Sequence, residues 1–317
     1  MNKQMSSTRI TMVIGITVLL LLAGCAPTTS LTQISAFGAG TSSIAENSKK
    51  AFELIDSSTI DRKMYDVAAN PSLFPEDATF DGLFKGTDGK KQLQLRLAVL
   101  ENLGSYAKAL EKLATADFRK DIDAASADLY GALSGLNSTY KKATDKDLPL
   151  KDDQLRVIAG VVDAIGTAIV ESKRRDAIKT IIIQADDAVQ DAAKLLEADF
   201  GKGSEISKFV QTNLVNAGGS LRTAYNIQKA APDSTFNLRY EMLVKIRQMH
   251  DAAETILLLF DSISASAKKV REAHSSLKST VTRDKFSSAE LAKQMGELVS
   301  YAKSVNSFYK KLGTTNK

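Results

Sequence analysis

The groups in this 317-residue chain most ready to act as nucleophile, general base or soft metal ligand are one thiol, Cys25, and two imidazoles, His250 and His274. Both histidines fall in a segment from Phe236 to Val281 whose apolar residues recur at helical spacing. On one straight helix their separation corresponds to about 36 Å. They cannot share a metal ion or a proton unless that helix folds back. Both lie near a stripe formed by Leu243, Leu257, Phe260, Ile263, Val270 and Leu277, so packed or partly exposed structural histidines are the expected reading. A serine hydrolase would also need an orienting group and an oxyanion site, and no local motif supplies them. No catalytic residue, no metal site and no cofactor is nominated.

Two loops invite a chemical comparison. Gly86-Thr87-Asp88-Gly89-Lys90-Lys91 has the flavour of a phosphate loop, which needs glycine, four residues, then Gly-Lys-Ser/Thr. Phe84 occupies the place of the first glycine and Lys91 that of the hydroxyl residue, so the motif fails. Asp77-Ala78-Thr79-Phe80-Asp81-Gly82 opens like a calcium loop, with Asp88 at its twelfth position. Thr79 replaces an acid or amide, Lys85 sits at the ninth position and Asp88 is shorter than the usual bidentate glutamate, so an ordinary acidic turn is expected. The same stretch holds Leu73, Phe74, Phe80, Leu83 and Phe84. These side chains either cap the end of a bundle or, with Phe74, Phe80, Leu83 and Phe84 as the candidates, face a partner or lipid.

The elements that must carry all of this are helices. Apolar residues make up 44% of the chain while aromatics are 6%, tryptophan is absent and proline occurs five times, a composition that suits helical packing. Steps of three and four join Leu93, Leu97, Leu100, Ala107, Leu110 and Ala114, then Phe118, Ile122, Ala125, Leu129, Ala132, Leu136 and Tyr140, and later Leu291, Met295, Leu298, Ala302, Val305, Tyr309 and Leu312. Ser287 and Glu290 open this last segment at capping-box spacing. Two segments, about 152–200 and 236–281, are long enough to reach on the order of 70 Å each. The first meets a polar interruption at Glu171 to Asp176, where a kink or register shift is expected. Breaks fall at Asn70 to Gly89, near Pro149, at Gly201 to Gly203 and at Pro232. The expected fold is all-α, an elongated up-and-down bundle of about seven helices covering residues 31–317, with a non-helical loop near 70–89.

Ahead of that bundle lies an export signal. Lys3 and Arg9 precede an uncharged apolar run from Ile10 to Leu22, which is shorter than the roughly 20 residues of a spanning helix. It ends in Leu22-Ala23-Gly24-Cys25, which resembles the lipobox of bacterial lipoproteins. The resemblance covers the export segment alone. It implies that residues 1–24 are removed, that Cys25 carries a diacylglycerol and often an acylated amino group, and that residues 25–30 form a short lipidated tether. Two or three acyl chains make such attachment close to permanent, at about 0.8 kcal/mol per buried methylene. Cys25 is the only cysteine, so no disulfide can form within the chain. Ala26, in place of aspartate, implies by the Gram-negative sorting rule an outer-membrane lipoprotein facing the periplasm. A cell-surface or plasma-membrane position is the alternative.

Beyond Cys25 the charges nearly balance, with 40 Lys and Arg against 37 acids once Lys3 and Arg9 are set aside. There is no basic stripe interleaved with aromatics, and nucleic acid is not an expected partner. Val157 to Val170 is apolar apart from Asp163 and Thr167, with Gly160 and Gly166 allowing close helix approach. It reads as a core helix, or else, with Thr255 to Ile263, as a membrane-inserting element of a pore former, although too short to span. The expected function is a non-enzymatic, lipid-anchored envelope scaffold that binds another envelope protein. Membrane perturbation or pore formation is the first alternative and an envelope enzyme the second.

Overall fold

A computed structural model describes residues 29–69, 88–165, 171–283 and 289–315. Eight α-helices and no strands account for nearly all of them. They are α1 (Thr29–Ala69), α2 (Asp88–Thr115), α3 (Arg119–Thr144), α4 (Asp152–Asp163), α5 (Glu171–Asp199), α6 (Glu205–Ala230), α7 (Phe236–Thr282) and α8 (Ala289–Thr315). The all-α expectation holds. The expected helix over 152–200 is two, α4 ending at Asp163 and α5 beginning at Glu171, so the expected polar interruption from Glu171 to Asp176 is helical and forms the first turns of α5, and the break falls ahead of it. Helix α1 also starts earlier than Leu31, and α2 takes in Asp88 and Gly89 from the expected loop. Residues 70–87, with Phe74, Phe80, Leu83 and Phe84, lie outside the described residues. So do Cys25 and Ser287.

Helix α7 is the mast of the bundle. At 47 residues it runs about 70 Å, starting at Thr235, whose hydroxyl accepts the Leu238 amide as an N-cap. Its C-terminal two thirds bury Ile256, Leu259, Phe260, Ile263, Val270, Ala273, Leu277 and Val281. Helices α8, α5, α6 and α1 all pack on α7. The α1 register is antiparallel, since the ring of Phe37 packs against His274 and that of Phe52 against Phe260. Thr29 and Thr282 extend equally far past the first of these pairs and therefore share one end of the body. Helix α2 packs between α1 and α3, while α4 bridges α3 to α5.

Where α1 and α2 cross, the backbones approach closely enough to require glycine. A Cβ on Gly38 would stand 2.5 Å from Glu111 Cβ and 2.7 Å from the Ala107 carbonyl, and one on Gly104 would stand 2.7 Å from Ala45 Cβ. Gly160, by contrast, has open space where its side chain would be. The expected close helix approach at that position is absent.

Phe118 also departs from expectation. It is the N-cap of α3, with extended backbone (φ −125°, ψ 152°), and its carbonyl accepts the Asp121 and Ile122 amides. The ring is 70% exposed rather than part of the apolar stripe. Periodicity places a side chain only once the chain is helical, and Phe118 stands just before that point.

Beyond the body, α7 continues as one arm of a hairpin. No described side chain between Phe236 and Thr255 is buried. Helix α6 forms the other arm and seats Ile206, Val210, Ala217 and Leu221 against α7 and α1. The turn between the arms contains Pro232, as the break there predicts.

Candidate functional site

The polar residues drawn together inside the body come from three helices. Asp186 sits on α5 among Ile182, Ala185 and Val189, and His274 on α7 among Val270, Ala273 and Leu277. Tyr106 sits on α2 among Leu103, Ala107 and Leu110. An acid inside an apolar stripe must be paired, because stripping water from a lone carboxylate is costly. Here His274 Nδ1 donates to Asp186 Oδ1 at 2.8 Å, and Lys278 Nζ donates to Asp186 Oδ2 at 2.7 Å. With the ring proton held at Nδ1, Nε2 accepts the Tyr106 hydroxyl at 2.8 Å. Gln190 Nε2 links Asp186 Oδ1 at 3.3 Å to the Arg271 carbonyl at 3.1 Å. Phe37 of α1 closes the cluster over the imidazole, with ring centroids 5.6 Å apart.

Burial pushes the Asp186 carboxyl up, but the hydrogen bonds from His274 and Lys278 outweigh it and bring the group down from 3.8 to about 2. Lys278 is raised by its bond to Asp186. Burial drives the Tyr106 hydroxyl well above its ordinary value, and the Asp186 charge adds to this. A carboxyl depressed on folding stabilises the fold above its unfolded value and loses that contribution as pH falls through its folded value. Asp186 should therefore contribute about 2 kcal/mol at neutral pH, and this should vanish as pH drops from 3.8 towards about 2. Urea unfolding across that interval should show a steep loss of stability. Asp186→Asn should remove this increment and flatten the profile.

A histidine held by a carboxylate and facing a hydroxyl has the layout of a base with its orienter. Catalysis also requires that a substrate proton come within reach of the base. His274 and Tyr106 are both fully buried, Nε2 is occupied by the Tyr106 proton, and Phe37 covers the remaining face. A concavity of about 330 Å³ lies between α5, α7 and α8, with Gln190, Arg271, Ser275, Ser279 and Gln294 among its walls. It borders the cluster at Gln190 and Arg271, without His274, Asp186 or Tyr106 in its lining. The arrangement joins helices; it does not present a reactive atom.

The second histidine has gone elsewhere. His250 lies on the hairpin, 71% exposed at its side chain and 3.6 Å from Asp251, well apart from the buried cluster. Leu243, assigned by spacing to the same stripe, is 46% exposed. The inward face there is Met242, Ile246, Met249 and Ala253, because the helix has left the body and packs on α6. Among the described residues no group of three or more His, Cys, Asp or Glu could hold a metal ion. The calcium-like loop lies outside them apart from Asp88, where α2 begins.

Around the buried cluster, partly exposed ion pairs tie the same helices to one another and to α8. Arg271 pairs with Glu197 (α7 to α5) at 3.0 Å, and Arg96 with Asp199 (α2 to α5) at 2.6 Å. Lys269 is shared by Glu272 and Glu297 at 2.7 Å each, joining α7 to α8, and both acids hold its amine well above the usual lysine range. Comparison with protein-family models, with curated proteins and with solved structures finds no match for this chain.

Proposed function

We propose that this chain is a lipid-anchored scaffold of the bacterial envelope, held at Cys25 and without a reaction of its own. The observation that carries the reading is Leu22-Ala23-Gly24-Cys25 standing directly ahead of a helix that begins at Thr29. Lipid on Cys25 would hold the Thr29 and Thr282 end of the body within a few residues of the bilayer. Helix α7 would then carry the hairpin about 70 Å from that end. The outer membrane, with the body facing the periplasm, is the proposed location on the strength of Ala26, and the cell surface or plasma membrane is the alternative. The partner proposed is another envelope protein met along the body.

Nothing specific favours the pore-forming reading. Ile158, Val162 and Ile165 point into the core, as do Ile256, Leu259, Phe260 and Ile263. Among the described residues no helix is long and apolar enough to cross a membrane. Covalent crosslinking in intact envelopes followed by capture of the Cys25 chain should recover a discrete envelope protein, and Cys25→Ala should lose it. Dye release from liposomes at low concentrations of the same chain would instead support membrane perturbation and overturn the scaffold reading.

A further inference from the structure

The hairpin of α6 and α7 leaves one face unpartnered. Along α7, Phe236, Tyr240, Leu243, Arg247 and His250 follow at steps of four and three, so they form one stripe. The half-buried Met242, Ile246 and Met249 lie about a third of a turn around the helix from it. The apolar members are open to solvent: Phe236 is 71%, Tyr240 58% and Leu243 46% exposed. Phe236 and Tyr240 stack, with centroids 6.0 Å apart and planes 14° from parallel. This pair occupies the first turn of α7, at the outer end of the hairpin. Below it the stripe continues with Arg247, whose side chain is 84% exposed, and His250, each 3.6 Å from Asp251. From Val215 to Asp251 the outer part of the hairpin carries five Lys and Arg against three acids.

The geometry points to an anionic lipid surface as the occupant of this stripe. Aromatic and aliphatic tips with cations set just behind them match the order of layers at a bilayer surface, where rings enter the headgroup boundary and the cations meet phosphate. A protein partner generally covers about 800 Å². The three apolar side chains, at very roughly 150–200 Å² each, reach that area only if the charged flanks are desolvated too. A bilayer needs no such facing surface. The contact is adsorption at the interface, consistent with the absence, among the described residues, of any helix able to span. The inference goes beyond the scaffold reading and does not depend on lipid at Cys25. A body anchored at one end would thereby meet lipid at the other.

The test uses a chain beginning at Ala26, which keeps every described core side chain, since these run from Ile34 to Val305. Because the sequence has no tryptophan, Phe236→Trp supplies a single reporter. Its emission should shift to the blue with vesicles of phosphatidylcholine and phosphatidylglycerol, and much less with phosphatidylcholine alone. Tyr130→Trp, on an exposed site of α3, should not respond. Combining Phe236→Ser, Tyr240→Ser and Leu243→Ser should weaken co-sedimentation with the anionic vesicles by about tenfold or more, with an unchanged melting temperature. Three results would overturn the inference: no response of Phe236→Trp, equal binding by the triple variant, or a concentration-dependent dimer that the triple variant abolishes while vesicles have no effect. The last would assign the stripe to a second copy.

Discussion

Asp186→Ala is expected to destabilise the bundle by about 3–5 kcal/mol, the cost of removing one partner from a buried ion pair. It removes the acceptor of both His274 and Lys278. His274 is then left with an inward N–H lacking its partner, in a site sealed by Phe37 and Tyr106. His274→Phe should cost less, about 1–3 kcal/mol, chiefly through the orphaned Tyr106 hydroxyl, since Asp186 keeps Lys278. Equilibrium urea unfolding of the chain from Ala26 onward measures both. Asp128→Ala is a suitable control, because its pair with Lys112 is solvent-exposed on both sides and should be worth less than about 1 kcal/mol. If Asp186→Ala matched that control, the cluster would not be what fixes α2, α5 and α7 in register. Replacing Tyr106, His274 and Asp186 together by apolar residues should recover much of the loss, at some risk to a unique helix register.

The second large effect concerns location. Cys25→Ala should move the protein from the membrane fraction to the soluble fraction, or leave it uncleaved with its signal attached. Attachment through two or three acyl chains does not equilibrate on the time scale of fractionation, so the expected change is nearly complete. High salt, which strips proteins held by charge alone, should not release the parent chain.

How far the sequence could be read depended on how local the determining physics was. Helix type and the limits of α7 follow from spacing over many turns, whereas the polar run Glu171 to Asp176 signals a break that falls ahead of it, since α4 ends at Asp163 and the run itself is the start of α5. The errors have distinct causes. Phe118 matched the period but precedes the first helical residue. Spacing puts Leu243 and His250 near the stripe of Leu257 and Phe260, yet α7 changes neighbours near Thr255 and a different face turns inward. Gly160 is small without being crowded, whereas Gly38 and Gly104 are crowded, and only the crossing of α1 and α2 makes that evident.

The buried cluster was the least legible part. His274 could be placed beside the apolar stripe, but its partners are distant in sequence and belong to other helices. A signal was present in retrospect. Asp186 follows Ile182 at one helical turn, on a face otherwise apolar through Ala185 and Val189, and Lys278 follows His274 at the same interval. An acid on one stripe and a histidine on another suggest that the two stripes meet, although spacing alone does not say which pair of helices does so. The expectation at Cys25 is of the opposite kind: it rests on four consecutive residues and on no fold, and it lies outside the described residues.

Cys25 is the proposed point from which the body is held. Mass spectrometry of the protein isolated from its native envelope tests it most directly. An N-terminal peptide starting at Cys25 and carrying the mass of a diacylglyceryl thioether, with or without an acylated amino group, is the predicted result. A chain that starts elsewhere, or a Cys25 whose thiol is free, would contradict it.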